Sequence, residues 1–293
     1  MEWNKKILLH PMQKKIVSIL FVINLFLNVQ GQNDAIVQEG EVGLSLGAGH
    51  YFGDINNQAG FNKPSTSLGV FFRKQFGGYV ALRLSGHYAL LGYADKYSKV
   101  EFQRRRNLNF ETKLWEMALQ GDFNFFRFIP GDPTYFFTPY VTLGVGSFNY
   151  DPYTKLNGEK YYLRKFGTEG QGSKAYPDRK AYSNQAFCFP LGMGIKYNLY
   201  RNVNLAFEVA YRFTNTDYLD DVSTTYAGDI AFPPLPNGNP SIAYLLQDRS
   251  YETGSRIGVA GKQRGFSEQK DQYLFAELAI SISFSSYRCA NPR

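Results

Sequence analysis

Cysteine is nearly missing from this chain: Cys188 and Cys289 are the two in 293 residues, which leaves room for one bridge at most. Histidine is as sparse, and beyond residue 31 only His50 and His87 remain, little material for histidine-based catalysis. No stretch beyond residue 31 stays apolar over the ~20 residues that a helix needs to cross a bilayer, so a helical span is excluded. Neither sign of charge dominates. With residues 1–31 set aside, 28 basic residues face 24 acidic ones, a mild excess that calls for no nucleic-acid partner. No carboxylate spacing matches a calcium loop. No cysteine follows the apolar run near the start, which excludes a lipoprotein.

What is abundant is aromatic: 22 Tyr and 25 Phe, beside 28 Gly. Tyr and Phe favour strands. Near the start, Lys14 and Lys15 precede an apolar run over 16–27, and Val29 and Gly31 supply small residues before a cut near Gln32. This order matches a secretory signal, and the run is too short to span a bilayer. Residues 1–31 are therefore read as a signal peptide, with Met12 a second candidate start, and 32–293 as one domain.

The strongest periodicity lies between Phe187 and Phe213. Phe187, Phe189, Leu191, Met193, Ile195 and Tyr197 fall on one face, with Cys188, Pro190, Gly192, Gly194 and Lys196 on the other. After Arg201 and Asn202 the alternation restarts, with Leu205, Phe207, Val209, Tyr211 and Phe213 against Asn204, Ala206, Glu208, Ala210 and Arg212. Long strands with an apolar outer row and a small or charged inner row suit a membrane β-barrel with a narrow inside. The mean hydropathy of −0.34 does not oppose this, because only alternate residues of such a strand need be apolar.

The same alternation marks strands over 41–50, 68–73, 79–93, 115–125, 140–148 and 273–284, giving eight in all. The connections alternate long and short. Short turns are expected at Gly77-Gly78, between Arg127 and Tyr135, and at Arg201-Asn202; loops are expected over 51–64, 94–108, 151–184 and 219–271, the last with no clear period. The modest basic excess of 151–184 could lie against lipopolysaccharide phosphates if it faces outward, but a plain solvated loop is the preferred reading. The fold is therefore predicted to be all-β, an eight-stranded, up-and-down, antiparallel membrane-spanning barrel. Its asymmetry predicts an outer membrane, short turns and both termini periplasmic, and long loops outside. Cys188 and Cys289 then sit at opposite ends of the barrel, ~25 Å apart where a disulfide spans ~4–7 Å, and are expected to be unbridged.

Three constellations invite chemistry. Arg73, Arg83, Lys196 and Arg212 share the inner face with Glu116, Asp122, Glu208 and Glu277. In so narrow a lumen they are read as a plug of ion pairs, not an ion path, and the barrel is expected not to conduct. Ser85 and His87 share that face near Glu116, but parity alone is too weak a match to a hydrolase triad. Asp217, Asp220 and Asp221 are oxygen donors that calcium takes, although carboxylates closing a strand are more often turn formers.

Two stretches, EGEVGLSLGAGHYFGDIN over 39–56 and TDYLDDVS over 216–223, together with QFGGYVALRLS over 75–85, resemble the PorG-like outer-membrane proteins of the type 9 secretion system. The resemblance covers most of 32–293. It implies a non-enzymatic barrel that associates with a periplasmic ring built of a lipoprotein and a soluble partner, with no cofactor and no metal. It supplies no catalytic residues; Gly53, Asp54, Asp217, Asp220 and Asp221 are its motif positions. A structural or adhesive barrel and a lipid-modifying enzyme are the alternatives.

Overall fold

The computed structural model of the chain describes residues 36–58 and 60–287. The signal peptide and Cys289 lie outside these residues. Eight strands form the barrel: β1 (Ile36–Phe52), β2 (Ser65–Phe76), β3 (Val80–Ala94), β4 (Asn109–Asn124), β5 (Phe137–Asn149), β8 (Gln185–Tyr200), β9 (Val203–Thr214) and β10 (Gln272–Tyr287). Every pairing is antiparallel. The β1–β10 pairing, from Ile36↔Tyr287 to Phe52↔Gln272, closes the sheet, so no barrel strand has a free edge. Between Leu143↔Leu191 and Gly146↔Cys188 the β5–β8 ladder is interrupted where Pro190, which has no N–H, faces β5.

The expected faces hold. Leu44, Leu46, Val70, Leu84, Leu119, Leu143, Met193, Leu278 and Ile280 are exposed on the outside. Water would make such a surface costly; a bilayer makes it the solvated one. Aromatics flank this aliphatic band: Phe76, Tyr79, Phe123 and Tyr197 at the short-turn end, Trp115, Phe187, Phe189 and Phe213 at the other. Ile36 and Tyr287, the ends of the described chain, are paired at the short-turn end. There, Gly77 and Arg201 take left-handed φ of 71° and 43° to reverse the chain.

The long connections differ from their reading as loops. Residues 151–184 contain a second hairpin, β6 (Tyr153–Leu156) and β7 (Glu159–Tyr162), which touches β4 through Tyr153↔Glu111. Helix α1 (Glu101–Arg106) stands in 94–108 and α2 (Ile242–Gln247) in 219–271. The connection over 125–136 is as long as that over 53–64, so the length alternation is weaker than the sequence suggested.

Inside, the lumen is filled in two layers. Toward the short turns lies an ionic lattice. Asp122 takes Arg73 Nε at 2.8 Å, Lys196 Nζ at 3.1 Å and Arg83 Nη2 at 3.6 Å; Arg83 also reaches Glu208 at 2.7 Å. Glu41, not among the expected lumen charges, accepts from Arg73 at 2.9 Å. Above it, Arg212 meets Glu116 at 3.4 Å, and His87 lies 3.3 Å from both Glu116 and Glu277. Toward the long loops an aromatic and aliphatic layer follows, including Tyr51, Leu91, Phe110, Phe148, Tyr273 and Phe275, and continues without a break into Ile55, Leu163, Leu219, Val222 and Leu246 of the connections. Cys188, a free thiol, is buried in this layer.

Candidate functional site

The long connections fold together into a cap over one end of the barrel, and the five motif positions meet in it. Asp220 is its centre. Val222 N–H donates to its Oδ1 at 2.8 Å, while Tyr51 O–H at 2.5 Å and Ile55 N–H at 3.3 Å approach its Oδ2. The same Tyr51 hydroxyl lies 2.9 Å from Asp271 Oδ1, and Asp271 Oδ2 accepts from Leu219 N–H at 2.8 Å. One hydroxyl proton cannot serve both carboxylate oxygens in full, so the contact with Asp271 is complete only when that carboxyl carries a proton and donates it to the Tyr51 oxygen. Gly53 has extended backbone, with φ 167°, and any residue could adopt it. Its requirement is space: a β-carbon there would stand 1.9 Å from Asp271 Oδ1 and 2.1 Å from Tyr51 Oη.

Asp54 receives the Phe266 N–H at 3.0 Å on both oxygens. Asp217 accepts Ser223 O–H at 2.6 Å. Asp221, at φ 67°, accepts Tyr182 O–H at 2.7 Å and the Thr168 hydroxyl. Two arginines and a glutamate bind these segments together. Arg106 forms a fork on Asp95 at 2.8 Å twice and donates to the Asp54 carbonyl at 3.0 Å and the Arg264 carbonyl at 2.6 Å. Arg264 donates to Glu169 at 3.0 Å, and Glu169 collects Ser223 and Thr224 N–H at 2.9 to 3.1 Å. Tyr182 stacks flat on Tyr218 at 4.5 Å, which joins 151–184 to the exit of β9.

Burial raises the pKa values of Asp54, Asp217, Asp220, Asp221 and Asp271 above the usual range. Asp217 rises to about 7, Asp54 and Asp221 to about 6, with Arg264 opposing the rise at Asp221. Asp220 is pushed up well beyond the ordinary value by burial and by the charge of Asp54, and Asp271 by burial and by the charges of Asp220 and Asp217. This is the electrostatic signature of carboxylates crowded without enough cations. Calcium was one reading of Asp217, Asp220 and Asp221, but among the described residues no group of three or more such side chains is arranged to hold a metal ion. The oxygens of Asp220 and Asp221 and Oδ2 of Asp217 face donors of the protein itself, while Asp217 Oδ1 is buried without a hydrogen-bond partner among the described residues. Nor does the barrel assemble a triad: Ser85 donates to Gln120 Oε1 at 3.0 Å, and the His87 nitrogens face Glu116 and Glu277.

Tyr51 and Asp271, taken as the ends of the loops expected over 51–64 and 219–271, were open to an inward reading by parity, since Tyr51 continues the Gly47, Gly49 row and Asp271 the Tyr273, Phe275 row. Glu169, Arg106 and Arg264 were not: Arg106 is one of three consecutive arginines, of which it alone is buried.

Several solved structures are similar in outline. Neisserial surface protein A (NspA) is 10% identical over 86% of this chain and all of its own, with a TM-score of 0.41. Ail, the attachment invasion locus protein of Yersinia pestis, is 10% identical over 84% of this chain and 99% of its own, at 0.36. A major outer membrane protein from Thermus thermophilus is 13% identical over 84% and 99%, at 0.37. No curated protein sequence matches the chain. Residues 14–239, more than half of the sequence, match the family described as Domain of unknown function (DUF6089), and the chain belongs to that family.

Proposed function

We propose that the protein is a non-enzymatic outer-membrane barrel, with its short turns periplasmic and its cap outside, that acts as a fixed membrane component of the type 9 secretion system in contact with the periplasmic ring. The observation that carries the first half is the filled lumen: an ionic lattice below and a continuous aromatic core above leave no passage for cargo. A barrel that passes nothing contributes to export by holding another assembly. The secretion system itself is suggested by the resemblance over 39–56, 75–85 and 216–223. In this reading the motif carboxylates Asp54, Asp217, Asp220 and Asp221 serve the cap, and the turn at Gly77-Gly78, the segment 125–136, the turn at Arg201-Asn202 and the two chain ends meet the ring.

Photo-crosslinkers placed at those turns, compared with the same groups in 151–184 and 219–271, test the contact. Crosslinks to the ring lipoprotein from the short turns support it; crosslinks only from the long connections invert the orientation; normal export in a deletion strain ends the secretion reading. Planar-bilayer recording tests the lumen separately, and a stable open conductance would refute the plug. A second reading, an adhesive surface barrel, is favoured by one observation: the cap leaves Phe61, Ile230, Val259 and Phe266 exposed, Ile230 at 74%. Loss of surface attachment with intact export in the deletion strain selects it.

A further inference from the structure

The wall formed by β2, β3 and β4 carries two hollows, one above the other. The lower, of about 720 Å³, lies on the lipid-facing side around Gly86. Register places Gly86 between Val70 on β2 and Met117 on β4, and places Tyr88 between Leu68 and Trp115 one outward row nearer the long loops. Packing does not require glycine at 86. A β-carbon there would meet nothing closer than 3.9 Å, whereas one at Gly47 would stand 2.0 Å from the Ala276 carbonyl oxygen. The missing side chain leaves a groove in an outward row that Leu84, Tyr88 and Leu90 otherwise fill.

The upper hollow, of about 540 Å³, begins where β2 stops. β2 follows β3 only to Ser67↔Ala89, while β3 and β4 stay paired to Ala94↔Asn109. Lys63, Thr66, Tyr93, Lys96 and Asn107 line the resulting notch. Lys113, exposed two residues above Trp115 and opposite Leu90, stands at the boundary between the hollows. The carboxylate in the notch, Glu111, accepts the Tyr153 hydroxyl at 2.8 Å. The notch is thus cationic and rich in hydrogen-bonding groups, and it sits just beyond the Tyr88–Trp115 pair that marks the edge of the apolar band.

An apolar groove within the bilayer, continued by a cationic notch at its surface, has the polarity of one amphiphile with an anionic head. We infer that this face binds a single phosphorylated glycolipid of the outer leaflet, with an acyl chain over Gly86 between Val70 and Met117, phosphate at Lys63 and Lys96, and sugar hydroxyls donating to the oxygens of Tyr93 and Asn107, whose own donors are held by Asn62 Oδ1 at 2.7 Å and Glu252 Oε2 at 2.8 Å. The choice of leaflet rests on the orientation proposed above, which puts the cap outside. Each hollow has the volume of a small-molecule site, ~300–1,000 Å³.

Native mass spectrometry of the full chain, released from membranes in mild detergent, tests the site with three probes: diphosphorylated lipid A, the same lipid dephosphorylated, and phosphatidylglycerol. A single adduct of diphosphorylated lipid A is expected, about tenfold or more tighter than either other lipid, as charge-assisted phosphate contacts imply. Lys63→Ala with Lys96→Ala should reduce its affinity to that of the dephosphorylated form. Gly86→Leu should weaken both forms of lipid A. Gly121→Leu adds the same side chain to an outward glycine outside the groove and should change neither. Heat-shifted gel mobility confirms that each variant is a folded barrel. Equal binding of the three lipids, or undiminished binding in Gly86→Leu, overturns the site. Protease digestion of 219–271 on intact cells separates the orientation from the site: protection of that segment removes the glycolipid as native occupant even where the preference in detergent holds.

Discussion

Tyr51, near the end of the first strand, donates its hydroxyl to Asp220 at 2.5 Å across 169 positions of sequence. The bond ties the barrel wall to the far connection and is buried on both sides. Tyr51→Phe should therefore loosen the cap while leaving the barrel closed. Removing the donor also leaves Asp220 and Asp271 with one bridging group fewer, and a lost buried hydrogen bond of this kind costs about 1–3 kcal/mol. Hydrogen exchange at the Leu219 and Val222 amides, which donate to Asp271 and Asp220, reports the loss directly. Asp271→Asn should be milder, because its amide donates where the carboxyl proton did. Equal exchange in Tyr51→Phe and the parent would show that the bond does not hold the cap.

The cap should be tighter in mild acid than at alkaline pH. In the folded cap Asp217 keeps its proton up to about 7, and Asp54 and Asp221 up to about 6, against 3.8 for an ordinary aspartate. Between these values the folded form binds more protons than the opened one, so stability falls as pH rises. The contribution is complete below about pH 4 and is lost by about pH 7. Protection of the Val222 and Phe266 amides, corrected for intrinsic exchange, should be greater at pH 5 than at pH 8. The opposite slope would mean that the carboxylates are ionised and paired in the folded cap.

Gly53→Ala tests space in place of charge. Its methyl would overlap Asp271 Oδ1 at 1.9 Å and Tyr51 Oη at 2.1 Å, and both are the functional ends of buried side chains that cannot swing into water. Overpacking of this order costs about 1–3 kcal/mol. Faster cleavage of 219–271 by a protease, with unchanged barrel mobility on gels, is the expected result; parent-like cleavage would show that the Tyr51–Asp271 contact yields freely.

The barrel was legible because one variable, parity, determines which solvent each residue meets. Cys188 to Lys196 and Asn204 to Arg212 on the inner rows, and Phe187 to Tyr197 outside, could be assigned from alternation alone. Even the charge missing from the expected lumen, Glu41, lies on the inner row of β1 and was lost only because that strand was started at it. The cap obeys no period. Its carboxylates Asp54, Asp217, Asp220 and Asp221 were marked by resemblance, but Glu169, Arg106 and Arg264, which bind them together, come from three connections far apart in sequence. Irregular chain satisfies its backbone through such long-range side-chain contacts, and these leave no local signature.

Asp122 should be the most sensitive residue of the lumen. It is fully enclosed and faces three cations, Arg73 at 2.8 Å, Lys196 at 3.1 Å and Arg83 at 3.6 Å. Arg73 retains Glu41 and Arg83 retains Glu208 when Asp122 is removed, but Lys196 keeps only the neutral oxygen of Asn124 at 3.1 Å and the face of Tyr140. Asp122→Ala therefore strands a buried ammonium, and breaking a buried pair from one side costs about 3–5 kcal/mol. Pairing that change with Lys196→Met removes the orphaned charge as well and should restore much of the loss. Urea unfolding in micelles, followed by the heat-shifted gel band, measures both variants. A double variant no more stable than Asp122→Ala would show that Arg73 and Arg83, not Lys196, depend on this carboxylate.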